Sequence, residues 1–165
     1  MGQYWIPANL DKREFINPHK LGCGLKLCEM LGTSPGVGTA LIVLTAAMPT
    51  RRGGGDLHLP APGAYGKIAK RTIGRWAGDR IAIVGDYAEA GDLAREHQAE
   101  KIHRRCQSLS NYSKEELEEM DADEPSWREW LFKDITDDVC AVIEHELGGR
   151  WTGPGWSWRK WEPND

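Results

Sequence analysis

The chain has 165 residues, with 21 Lys and Arg against 25 Asp and Glu, and 40% of it is hydrophobic, which is enough to bury the core of one soluble domain. The longest apolar run, Ala40 to Met48, is broken by Thr45 and falls well short of the roughly 18 residues a membrane-spanning helix needs. Charge is uneven: 15 basic and 10 acidic residues precede Cys106, whereas 6 and 15 lie from Cys106 onward, and seven of those acids crowd into positions 115–124, a run that repels nucleic acid.

Gln3-Tyr4-Trp5-Ile6 and Glu14-Phe15-Ile16 are short aromatic and β-branched stretches joined by Asn9-Leu10-Asp11-Lys12, so they read as a β-hairpin. Asn17-Pro18 ends the second strand, and Leu25, Leu27, Cys28 and Leu31 then take up helical spacing as far as Gly32. Ser34-Pro35 predicts the start of a second helix, with Ser as cap and Pro at the first position. This helix is apolar on nearly every side from Val37 to Met48, which predicts a central place. Residues 50–66 carry too much Gly and Pro for regular structure and read as a loop. Gly78-Asp79 predicts a tight turn into a buried strand, Arg80 to Val84, which ends at Gly85-Asp86.

Residues 92–106 suit a polar helix, Ser113 with Glu116 forms a capping box for a short acidic one, and 94–126 as a whole reads as a polar, helical insertion. Leu131 to Ile135 is a strand candidate, and Thr136 is expected to cap a helix striped by Val139, Val142, Ile143 and Leu147. Positions 150–165 form a Trp-rich tail broken by Pro and Gly. The order of elements predicts an α+β fold, a small and mostly antiparallel sheet packed against about four helices in a single domain over 1–149.

Familiar catalytic signatures fail on their chemistry. Ser34-Pro35-Gly36-Val37-Gly38-Thr39 lacks the Lys with which a phosphate-binding loop reaches its nucleotide. His145-Glu146 has Gly149 where a zinc protease places its second His. Cys23, Cys28, Cys106 and Cys140 fit no zinc spacing and are too sparse for a disulfide scaffold, so they read as reduced thiols, with Cys28 and Cys140 in the core. No metal and no cofactor is implied. The N-terminus lacks a basic region followed by an apolar stretch, and the chain reads as cytosolic.

One polar set stands where strands meet turns. His19, Asp79 and Asp86 have the chemistry of acid–base or cation-binding groups, and Lys20, Arg75 and Arg80 that of anion holders. The alternative is structural, with Asp79 and Asp86 capping turns and pairing with Arg75 or Arg80. Trp76, Tyr87, Trp156 and Trp158 are candidate contact residues; the tail's rings, interleaved with Arg and Lys, either stack on a partner or cover the domain's own apolar face.

Met1-Gly2-Gln3-Tyr4-Trp5, Asn9-Leu10-Asp11-Lys12-Arg13-Glu14, His19-Lys20, Gly24-Leu25-Lys26-Leu27, Arg52-Gly53-Gly54-Gly55-Asp56-Leu57, Gly74-Arg75-Trp76-Ala77-Gly78-Asp79-Arg80 and Gly85-Asp86-Tyr87 together resemble an uncharacterised family of small microbial proteins. The resemblance covers about 1–93 and 131–147 and implies no activity. It does imply that the hairpin, the His-Lys corner and the Arg-Trp-Ala-Gly-Asp-Arg turn share one site or one structural corner. The expectation is a non-enzymatic binding protein of the phage- or host-interaction kind, whose partner is another protein or a small anionic ligand. The alternative is a small hydrolase or transferase acting on a phosphate-bearing metabolite or nucleotide.

Overall fold

A computed structural model describes residues 3–47, 62–94, 97–106, 113–123 and 131–147. The fold is α+β. Strands β1 (Trp5–Asn9) and β2 (Glu14–Phe15) form the expected hairpin. Asn9 shapes its turn, since the side-chain Oδ1 accepts from the amides of Asp11 and Lys12 at 3.0 and 2.8 Å. Pro7 has no N–H to give, and the β1–β2 ladder stops beside it, leaving β2 two residues long.

Helices α1 (Leu27–Gly32) and α2 (Val37–Thr45) follow. The second starts two residues later than Ser34-Pro35 predicted: Gly36 occupies the cap position, and there a side chain would collide with Cys23 Sγ and the Thr33 carbonyl. Nor is α2 buried all round. Val37, Ala40, Val43 and Leu44 face the core, but Ile42 is 72% exposed. In α1 only Met30 is buried, so the stripe of Leu27, Cys28 and Leu31 faces outward.

The expected loop over 50–66 ends sooner, because Gly63 opens helix α3 (Gly63–Thr72); residues 48–61 lie outside the described residues. Strand β3 (Ile81–Gly85) matches the predicted strand within one residue, but it is an edge strand of which only Val84 and Gly85 are buried, with Ile83 38% exposed. Helix α4 (Ala99–Arg105) lies inside the segment read as an insertion, yet Ala99 and Ile102 are buried. The Ser113–Glu116 capping box forms at the head of helix α5 (Lys114–Asp123), with each backbone amide donating to the other's side chain.

Only Lys133–Asp134 of the predicted 131–135 strand pairs, as β4. Helix α6 (Thr136–Glu146) then begins with Thr136 as its first residue rather than its cap. The Thr136 hydroxyl instead accepts from the Asn17 amide at 2.7 Å, and Asp134 Oδ1 takes the Thr136 amide at 2.9 Å.

The sheet runs β3-β1-β2-β4, antiparallel except for the β2–β4 pair. Alternation along the strands builds two cores. Ile6, Ala8, Phe15 and Val84 pack with Ile102, Cys106 and Phe132 in one. Ile16 and Trp76 join Val37, Ala40, Leu44, Ala69, Val139 and Ile143 in the other, with Trp5 and Ile81 half-buried against it. The sheet is thus a middle layer between α4 and the α2–α3–α6 group. Among the described residues no helix is long and apolar enough to cross a membrane.

Candidate functional site

The hairpin turn and the Arg75-to-Arg80 turn meet side chain to side chain. Glu14 is the centre, a carboxylate on β2 whose residue is only 4% exposed. Arg75 Nε lies 3.0 and 2.8 Å from its two oxygens, and Trp76 Nε1 donates to it at 2.9 Å. Burial works to raise the Glu14 pKa, but the bonds from Arg75 and Trp76 outweigh it and hold the carboxyl below the ordinary glutamate range. Two more pairs close the corner. Asp79 accepts from Asn9 Nδ2 at 2.7 Å and from the Lys12 ammonium, which hold its pKa low. Asp11 takes the Arg80 amide at 2.7 Å and Arg80 Nε at 2.8 Å.

The His-Lys corner divides. Lys20 Nζ bridges Asp134 at 3.0 Å and Asp137 at 3.1 Å, tying the end of the hairpin to β4 and α6. His19 is exposed, and its amide donates to Asn17 Oδ1 at 3.0 Å. Asp86 stands at the far end of β3 and accepts the Tyr4 amide at 2.9 Å. The five residues of β3 put roughly 15 Å between Asp86 and the Asp79 corner. Asp79 and Asp86 therefore cannot act on one reacting atom. Trp76, expected at a contact surface, has no exposed area and is core; Tyr87 is 59% exposed. Trp156 and Trp158 lie outside the described residues.

Sequence reasoning missed a cavity of about 150 Å³ between the hairpin turn and α4, with Leu10, Ile102 and Phe132 as its apolar wall and Arg13, His97 and Arg105 among its polar lining. Arg13 and Gln98, both lining it, have left-handed backbones with φ of 53° and 47°. No pattern in the sequence marks either position. Nearby in α4, burial pushes the His103 imidazole below its ordinary range against the pull of Asp86, and its Nε2 has no hydrogen-bond partner among the described residues.

The thiols also depart from expectation. Cys28 is exposed rather than core, while Cys23 and Cys106 are buried and Cys140 is half-buried. Burial pushes Cys23 and Cys106 up, and Cys140 up to about 12. Among the described residues no three His, Cys, Asp or Glu side chains gather as a metal site requires. Comparison with protein-family models, with curated proteins and with solved structures gives no match.

Proposed function

We propose that this is a non-enzymatic binding protein that meets another protein through apolar side chains on α1 and α2. The observation that carries the reading is how its motif charges are used. Glu14 with Arg75, Asp11 with Arg80, and Lys12 with Asp79 pair across the two turns, and Lys20 pairs with Asp134 and Asp137. Groups spent on holding the hairpin are poor candidates for acid–base work, and Asp86 and His19 do not join them. Besides the exposed Glu29 and Thr45, α1 and α2 offer large aliphatic side chains to solvent: Leu31 is 79% exposed and Ile42 72%. Large exposed apolar side chains on packed helices suit contact with a protein surface.

Turnover assays on nucleotides, sugar phosphates and aryl phosphates, with Mg²⁺ or Mn²⁺, test the reading against the hydrolase or transferase alternative. The expected result is no product above buffer. A photo-crosslinking residue at position 31 should meanwhile give a discrete protein adduct in the native host, while one at Lys67 on α3 gives none. Turnover that disappears in Asp79→Asn, Asp86→Asn or His19→Ala would overturn the proposal.

A further inference from the structure

We infer that the groove at the C-terminal end of β3 is a binding site for a neutral sugar, separate from the α1–α2 face. The groove holds about 490 Å³, inside the range of about 300–1,000 Å³ usual for small-molecule sites. It crosses the edge of the sheet. Trp5 and Ile83 wall it from the face that bears the Trp76 core, and Val84 and Leu93 from the face that bears the Phe132 core.

The polar side chains in its wall are Gln3, Trp5, Tyr87 and Asp92. Gly85 makes room for the first of them. It pairs with Trp5 across the ladder, and the Gln3 amide lies where a side chain at position 85 would stand. Among the described residues the Gln3 amide, the Trp5 indole N–H and the Tyr87 hydroxyl have no hydrogen-bond partner, and none of them is sealed from solvent. Asp92 accepts from the Glu89 amide at 2.8 Å through Oδ2, which leaves Oδ1 for a ligand. The Tyr87 ring, in a residue 59% exposed, belongs to neither core.

These groups narrow the chemistry of the occupant. Gln3, Trp5 and Tyr87 supply donors, Asp92 and the Gln3 carbonyl supply acceptors, and two aromatic rings stand beside them. A simple organic cation would answer Asp92 alone and set the three donors against a group with no lone pair. An anion would meet the Asp92 carboxylate with no Lys, Arg or His in the wall to offset it. A wholly apolar ligand would strand every one of the polar groups. Sugar hydroxyls both donate and accept, and the C–H face of the sugar ring packs on the faces of Trp5 and Tyr87. Polar groups from three segments, β1, the turn after β3 and the loop before α4, suit hydroxyls that radiate around a ring.

Amide and indole NMR spectra of the full, isotope-labelled chain test the inference by titration with maltose, cellobiose, lactose and diacetylchitobiose. At least one sugar should saturate with a Kd of about 1 mM or tighter and shift the Trp5 indole N–H and the amides of Ile83, Tyr87 and Leu93. Tyr87→Ala, at an exposed position, should weaken that sugar about tenfold. Asp92→Asn, whose amide oxygen still accepts from Glu89, should weaken it about fivefold, and in both variants the rest of the spectrum stays as in the parent chain. Adenosine and tetramethylammonium should bind more weakly than the sugar. No saturable shift with any of the sugars, shifts centred elsewhere, full affinity in either variant, or tighter binding of adenosine or tetramethylammonium would each overturn it.

Discussion

Glu14 shows how one residue's setting decides its role. On a surface its carboxylate would be an ordinary charge; under Trp76 and against Arg75 it becomes the pin between two turns separated by 61 residues. The sequence places Arg75 and Asp79 at a turn correctly, but it suggests that they pair locally. Their true partners, Glu14, Asn9 and Lys12, lie 61 to 70 positions away, and no short-range spacing encodes that. The cysteines make the same point. Helical spacing sets Cys28 among leucines that look like a core stripe, yet that face of α1 is outside. In consequence Cys28 is the thiol expected to react with a disulfide reagent at pH 8 within seconds. The raised pKa values of Cys23, Cys106 and Cys140 keep those three slow. A fast phase that persists in Cys28→Ser would refute this placement.

Among the elements, those with a strong local signal are found where the sequence puts them: the hairpin, β3, the capping box of α5 and the apolar stripe of α6. Helix α3 is obscured in the sequence because Gly63 and Gly66 look like loop, although Tyr65, Ile68, Ala69 and Thr72 recur at helical spacing on the side that packs against the core. The start of α2 departs from its local signal, since Ser34-Pro35 is a good cap sequence but packing decides the position. Gly36 sits in extended backbone that any residue can adopt, so its requirement is space: an added Cβ falls 2.6 Å from Cys23 Sγ and 2.8 Å from the Thr33 carbonyl. Gly36→Ala should therefore cost about 1–3 kcal/mol in urea unfolding, as overpacking does. The same change at Gly38, where no described residue lies within 4 Å of the added Cβ, should be neutral or mildly stabilising. Equal losses at the two sites would show that backbone freedom matters rather than crowding.

At the scale of the whole molecule, the sheet holds two cores apart, and the paired turns lock its hairpin to the segment that leads into β3. The charges that most resembled a reaction centre are in this account the fastening of the fold. Glu14 titrates lower in the folded protein than in the unfolded chain, so its contribution is complete above the ordinary glutamate pKa. It is lost as pH falls through the depressed folded value. A double-mutant cycle on Glu14→Gln and Arg75→Met, followed by urea unfolding at pH 7 and again at pH 3, addresses the claim most directly. Arg75→Met alone should cost about 3 kcal/mol, because it strands a buried carboxylate. The coupling between the two sites should exceed about 1.5 kcal/mol at pH 7 and shrink at pH 3. Single changes within about 0.5 kcal/mol of wild type and a coupling near zero at both pH values would contradict it.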